Sequence, residues 1–289
     1  MTQTNTPEDS RKVLVELEEF VRREPGSGEA WGRLGCAYNY FEAYDLACAA
    51  LEKAVQLAPR EAMYWHGLGR ARLDLGRPQE ALAPARQAVE LEPRRPQARL
   101  LLGRVLNRLD NVPLAIVHLQ EAVRLDPKWT TPLADLAWAY STLRDYAAAG
   151  ACFEEALRLE PDQLDLWREL GGCLLEQQKP ARAVPPLETA VFLQPEDGVA
   201  WGLLGCAYQQ TGRTAEAAPA FARGIDLGCR AGWLWVWAGA AAAALGDREG
   251  LERARRELRE RDPERAQELE DLLRRQAAGG RDAEAMTGT

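Results

Sequence analysis

Apolar and small residues recur along this chain at spacings of three, four and seven, the interval that places them on one stripe of an α-helix. In "WGRLGCAY" (31–38) and "WGLLGCAY" (201–208), tryptophan is followed after three residues by leucine, after four by glycine and after seven by tyrosine. A turn marked by glycine or aspartate comes next ("LGR" at 75–77, "TGR" at 211–213, "LGD" at 245–247), and then a second stripe that runs to a proline. The pattern predicts helical hairpins. It also repeats: Pro59, Pro93, Pro127, Pro161 and Pro195 stand 34 residues apart, and the next two steps fall on Cys229 and Pro263. The large residue keeps the same step at Trp31, Trp65, Arg99, Leu133, Trp167, Trp201 and Trp235, and alanine keeps it at Ala47, Ala81, Ala115, Ala149, Ala183 and Ala217.

On these residues the chain resembles the tetratricopeptide repeat family, whose unit carries W-x2-L-G-x2-Y, then Ala, a bulky residue, Ala and Pro. The resemblance implies an all-α, right-handed α-solenoid of seven helix-turn-helix units over 28–265, at 28–61, 62–95, 96–129, 130–163, 164–197, 198–231 and 232–265. Upstream, "SRKVLVELEEFVRREP" ends at Pro25 and reads as the second helix of an incomplete unit, an N-terminal capping helix over 11–27. Downstream of Pro263, "ERAQELEDLLRRQ" is dense in both charge signs, as expected of the polar-faced cap of a repeat array, here a C-terminal capping helix over 266–277. Residues 1–10 and 278–289 are expected to be disordered tails. Pro84, Pro185, Pro186 and Pro219 fall inside second helices and are expected to make them start late or bend. The seventh unit departs from the pattern, with Leu251 and Leu258 at its alanine positions and Arg255 at the bulky one, as terminal repeats do.

Composition agrees with a helical reading. The 289 residues are 46% hydrophobic, rich in Ala, Leu, Arg and Glu and poor in Ile, Thr and Phe. A net charge of −8 argues against a surface built to neutralise nucleic-acid phosphates. The longest uncharged window, 231–246, is shorter than the roughly 18–20 residues a membrane span requires, so no membrane insertion is expected. The opening "MTQTNTPEDSRKV" has no basic stretch leading into an apolar one, which points to a cytoplasmic chain. Six cysteines without a CxxC pair read as small packing residues, and neither metal nor cofactor is expected. His66 and His118 are the only histidines, and no HExxH, Gly-rich phosphate loop or GxSxG is present, so the chain is not expected to be an enzyme.

The family resemblance assigns the groove to the second, fifth, ninth, twelfth and thirteenth positions of each unit. The fifth and ninth are Gly32, Cys36, His66, Arg70, Leu100, Arg104, Ala134, Trp138, Arg168, Gly172, Gly202, Cys206, Val236 and Ala240. Three arginines and no acid stand among them, which predicts a cationic floor with one aromatic plate. Asn39, Tyr40, Asn107, Arg108, Gln209 and Gln210 flank it, against Asp74 and Glu176. The chain is therefore expected to be a monomeric adaptor or assembly factor for a protein or peptide partner bearing carboxylates. In that reading Arg70, Arg104 and Arg168 engage carboxylates, Asn107 bonds the ligand backbone and Trp138 stacks on a side chain. The alternative is that these arginines are solvated or paired with Asp74, Asp165 or Glu176, each pair contributing little. The Lys–Asn carboxylate clamp of some family members has no counterpart here, since the first unit carries Gly32 and Cys36.

"GWLWVWAG" (232–239) alternates tryptophan with other residues, yet the repeat register makes it helix. Trp235 then belongs to the core, while Trp233 and Trp237, four apart, share a face beside the groove. They are candidate hydrophobic anchors for a partner; the alternative is that the C-terminal cap folds over them. A self-assembling scaffold using the second helices or this tryptophan-rich unit is the competing functional reading.

Overall fold

The structure, a computed structural model, describes residues 7–287 and, within them, the side chains of residues 12–275. Every regular element among the described residues is an α-helix. The chain divides into two compact units, 1–145 and 146–289. The first holds α1 (Pro7–Arg23), α2 (Gly28–Tyr40), α3 (Tyr44–Leu57), α4 (Ala62–Asp74), α5 (Pro78–Leu91), α6 (Pro96–Arg108), α7 (Val112–Leu125) and α8 (Thr130–Thr142). The second holds α9 (Tyr146–Leu159), α10 (Leu164–Glu176), α11 (Pro180–Leu193), α12 (Gly198–Gln210), α13 (Thr214–Asp226), α14 (Gly232–Leu245), α15 (Arg248–Arg261) and α16 (Pro263–Thr287). Within each unit, first helices of successive repeats touch one another (α2 with α4, α4 with α6, α10 with α12, α12 with α14).

The conserved spacing has a packing cause. The alanines at 47, 81, 115, 149, 183 and 217 have no exposed surface, because helix backbones cross there and leave room for a single methyl group. The glycines of the first helices do the same work for bulkier partners. A methyl group added at Gly35 would stand 2.5 Å from Cγ of Leu51, and one at Gly103 2.7 Å from Cγ of Leu119. The tryptophan comb has a polar role as well as an apolar one. The indole Nε1 of Trp31, Trp65, Trp167 and Trp201 donates to the carbonyl of the proline six residues earlier (Pro25, Pro59, Pro161 and Pro195) at 2.8–2.9 Å. Arg99 does this with its Nε toward Pro93, at 3.1 Å. Each such bond latches a repeat to the end of the one before it.

The turns obey one rule. The fifteenth position of every repeat is left-handed: Gly76, Gly212 and Gly246, but also Glu42, Asp110, Arg144 and Gln178, with φ from 58 to 79°. The next N–H then reaches back to the carbonyl five residues earlier, as in Ala43 to Tyr38 (2.9 Å) and Lys179 to Leu174 (2.9 Å). This closure satisfies carbonyls that the helix end leaves open, which offsets the strain of a left-handed non-glycine residue.

Two expectations are corrected. The prolines do not delay their helices: α5, α11 and α13 begin at the same register position as the other second helices and run through Pro84, Pro185, Pro186 and Pro219. At Pro84 the reason is visible, because the carbonyl of Glu80 that loses its helical donor accepts instead from Nη1 of Arg72 at 3.0 Å. The segments read as disordered tails are helical where they are described. α1 starts at Pro7, a residue whose fixed φ suits a first helical position, and α16 continues to Thr287 through a sequence rich in helix formers. The remainder of those tails, 1–6 and 288–289, lies outside the described residues.

Both ends of the array are covered. α1 packs Val21 against Ala30, Leu34 and Ala50. α16 brings Leu269, fully buried, onto Trp235, Val236, Ala240, Ala254 and Leu258.

Candidate functional site

The first unit carries two adjoining hollows on its first helices. One, ≈ 480 Å³, is lined by Asp74, Arg104, Asn107, Arg108, Asp135 and Trp138, among others. The other, ≈ 370 Å³, is lined by Tyr44, His66, Arg70, Gln97, Leu100 and Trp129, among others. The repeat register places Asn107 and Arg108 at the C-terminal end of α6 and Trp138 on the facing side of α8, where it is 41% exposed.

Charge around the three predicted floor arginines differs from the cationic floor expected. Arg70 pairs with Asp74 at 3.5 Å, the partner foreseen as an alternative. Arg104 pairs with Asp135, whose carboxylate is 13% exposed, and Arg168 pairs with Asp197 at 2.6 Å and Glu169 at 3.0 Å. The acids were missed because they stand at other repeat positions, the sixth for Asp135 and the thirty-fourth for Asp197, and the fold alone brings them beside arginines about thirty residues earlier. Arg108, exposed, has no ion-pair partner among the described residues. It is the cation of the first hollow that is free to meet a ligand.

Other predicted groove residues are elsewhere. Asn39 is buried, with its Nδ2 donating to the carbonyl of Gly67 at 2.8 Å and its Oδ1 without a partner. It ties α2 to α4 rather than facing a groove, since Gly67 brings no side chain and the amide fills the space. Gln209 is half-buried with its Oε1 enclosed and unpartnered, and lines none of the hollows described. Ala134, Val236 and Ala240 are also buried, the last two beneath α16, and Leu100 and Cys206 are buried where each borders a hollow. Burial pushes the Cys206 thiol up to about 12, which leaves it protonated and unreactive. Sequence reasoning did not single out Trp129 or Tyr44; both lie outside the positions the family pattern assigns to the groove.

His66 is held neutral. Burial, then the charges of Arg95 and Arg70, push its imidazole down to about 4. Its proton uptake therefore opposes folding: the unfolded chain binds that proton from about 6.5 downward, the folded one only near 4. The stability contributed by neutral His66 is complete above pH 6.5 and is lost as pH falls toward 4. Expected in an NMR titration is a His66 midpoint near 4, with His66→Gln flattening the fall in urea stability over that window; a midpoint near 6.5 would contradict the burial.

In the second unit, Trp233 and Trp237 are half-buried on α14 and line a hollow of ≈ 510 Å³ together with Tyr146, Glu176, Val199 and Gln210, among others. α16 packs on Trp235, Val236 and Ala240 of α14, and no residue of α16 lines the hollow. Trp233 rests against Gly202: a methyl group there would stand 2.7 Å from the indole Cη2. Among the described residues no group of three or more His, Cys, Asp or Glu could hold a metal ion, and no helix is long and apolar enough to cross a membrane.

Family models described as tetratricopeptide repeat match residues 66–128 and 134–198, and 28–61 and 199–227. No curated protein matches the chain. Among solved structures it is similar to YrrB, described as a TPR protein with an unusual peptide-binding site, at 19% identity over 64% of this chain and 95% of that one (TM-score 0.56). It is similar also to PilF of Pseudomonas aeruginosa, at 20% identity over 73% and 96% (TM-score 0.62), and to MamA of Desulfovibrio magneticus RS-1, at 23% over 63% and 96% (TM-score 0.51).

Proposed function

The chain belongs to the tetratricopeptide repeat family, a family of protein-interaction modules, and from that premise we propose that it is a non-enzymatic adaptor whose first-helix faces hold extended segments of a partner protein. The observation that carries this reading is the ≈ 480 Å³ hollow in the first unit. It joins an unpaired guanidinium (Arg108), an amide (Asn107) and a half-open indole (Trp138), the set that can take a carboxylate, a peptide backbone and an apolar side chain side by side. YrrB, similar in fold and described as having a peptide-binding site, supports peptide recognition.

The carboxylate preference rests on Arg108 first. Arg70 and Arg104 can add to it only by leaving Asp74 and Asp135, exchanging one ion pair for another. Random-peptide display against the intact chain tests the proposal. Peptides enriched on the wild type should share an acidic residue and bind an Arg108→Ala, Trp138→Ala variant roughly ten- to a hundredfold more weakly. Enriched peptides without acids, or equal binding by the variant, would remove this hollow as the working surface.

A second reading, self-assembly through second helices, draws on Phe192, 80% exposed on α11, and Val117, 55% exposed on α7. Sedimentation as a monomer across a wide concentration range would exclude it.

A further inference from the structure

The hollow of the second unit has the opposite chemistry to that of the first. Its aromatic walls are Trp233, Trp237 and Tyr146, and its one charged lining residue is Glu176. Glu176 is exposed and has no ion-pair partner among the described residues, and no basic side chain lines the hollow. A second source of negative potential is the backbone. Glu176 and Gln210 are the last residues of α10 and α12, whose carbonyl ends therefore border this space, and neither helix has a basic residue in its last turn. In the first unit, by contrast, α4 and α6 carry Arg72 and Arg108 there. Helix C-termini favour a nearby cation, and no residue lining this hollow supplies one.

We propose that this hollow binds an arginine side chain of an extended partner segment, with the guanidinium against the indoles of Trp233 and Trp237 and paired to Glu176. Arginine suits the site better than lysine because its planar group stacks on an aromatic face while still offering two donors to a carboxylate. Val199, 42% exposed, and Leu203 provide apolar surface for a neighbouring aliphatic residue, and the Gln178 and Gln210 amides lie within the same wall to bond the segment's backbone. The site is held ready. Trp233 is seated against Gly202, so little side-chain freedom is lost on binding. The proposal rests on the reading that first-helix faces take peptide segments, and it assigns the second unit a ligand of opposite charge to the first.

The test uses the intact chain and three capped heptapeptides that differ only at a central residue flanked by leucines: arginine, citrulline or glutamate. Binding is followed by NMR at the indole N–H signals, assigned with Trp233→Phe, Trp237→Phe and Trp138→Phe variants. The arginine peptide should shift the Trp233 and Trp237 signals, and citrulline, which keeps the shape and loses the charge, should bind about tenfold more weakly. Glu176→Gln, at an exposed position that leaves the fold intact, should weaken the arginine peptide about fivefold and leave the citrulline peptide unchanged. Equal affinity for arginine and citrulline, or silent Trp233 and Trp237 signals at millimolar arginine peptide, overturns the assignment. If the glutamate peptide shifts Trp138 while Trp233 and Trp237 stay silent, this inference fails and the acidic-segment reading of the first unit stands. If the arginine peptide behaves as expected and the glutamate peptide leaves Trp138 unmoved, the reverse holds.

Discussion

Asn39→Asp is expected to destabilise the chain by about 3–5 kcal/mol at neutral pH, the cost of an uncompensated buried charge. The amide is buried, its Nδ2 donates to the carbonyl of Gly67, and its Oδ1 already lacks a partner. A carboxylate there would face a carbonyl oxygen with no donor to offset either. The carboxyl would respond by holding its proton, since the protonated form can donate to Gly67 in place of the amide. Its folded-state pKa is then raised above the unfolded value of about 3.9, so the variant's stability relative to wild type is restored below that pH and lost as pH rises through the raised pKa. Urea unfolding of both chains from pH 4 to 8 measures this directly. A difference that is small and independent of pH would return Asn39 to the solvent-facing groove position that the repeat register suggests.

Leu51→Ala should cost about 4–5 kcal/mol, the upper end of the range for removing a buried leucine. The upper end applies because the side chain, with no exposed surface, lies between two glycines: a methyl at Gly35 would stand 2.5 Å from its Cγ and one at Gly67 3.2 Å from its Cδ1. Neither neighbour has a side chain that could swing into the vacated space. The same geometry predicts a change of sign. Gly35→Ala alone should destabilise, because its methyl collides with Leu51, yet in the Leu51→Ala background it should stabilise by filling part of the cavity. Urea unfolding of the two single variants and the double one gives the coupling. Additive effects would mean that Gly35 and Leu51 do not share this space.

The repeat was readable because its determinants are local. Each helix start, turn and crossing alanine follows from residues within one 34-residue period, and the first helices begin at 28, 62, 96, 130, 164, 198 and 232. The candidate surface was readable only in outline. Arg70, Arg104, Asn107, Arg108 and Trp138 do line the hollows of the first unit, but Asp135 reaches Arg104 from the next repeat and Asp197 reaches Arg168 from the far end of its own, separations that a position-by-position reading does not see. Asn39 was misplaced for a related cause: the residue that decides its environment is Gly67, twenty-eight positions away. For Trp233 and Trp237 the sequence left two outcomes open, and what separates them is that Leu269 docks on Trp235, Val236 and Ala240 while both tryptophans line a hollow that no residue of α16 borders.

The latch between repeats has one missing link in the first unit. Leu133 occupies the tryptophan position of α8 and has no donor to offer the carbonyl of Pro127, so the joint between α7 and α8 lacks the bond made at Trp31, Trp65 and Arg99. Near that joint Arg104 reaches from α6 to Asp135 on α8. A carboxylate ligand that draws Arg104 toward itself releases the same tie, so occupancy of the groove and stiffness of the α6–α8 stack become opposing quantities. Recognition and local compliance are thermodynamically linked at this point of the array: a partner able to bridge Arg104 and α8 stiffens it, whereas one that captures Arg104 alone leaves it looser than before.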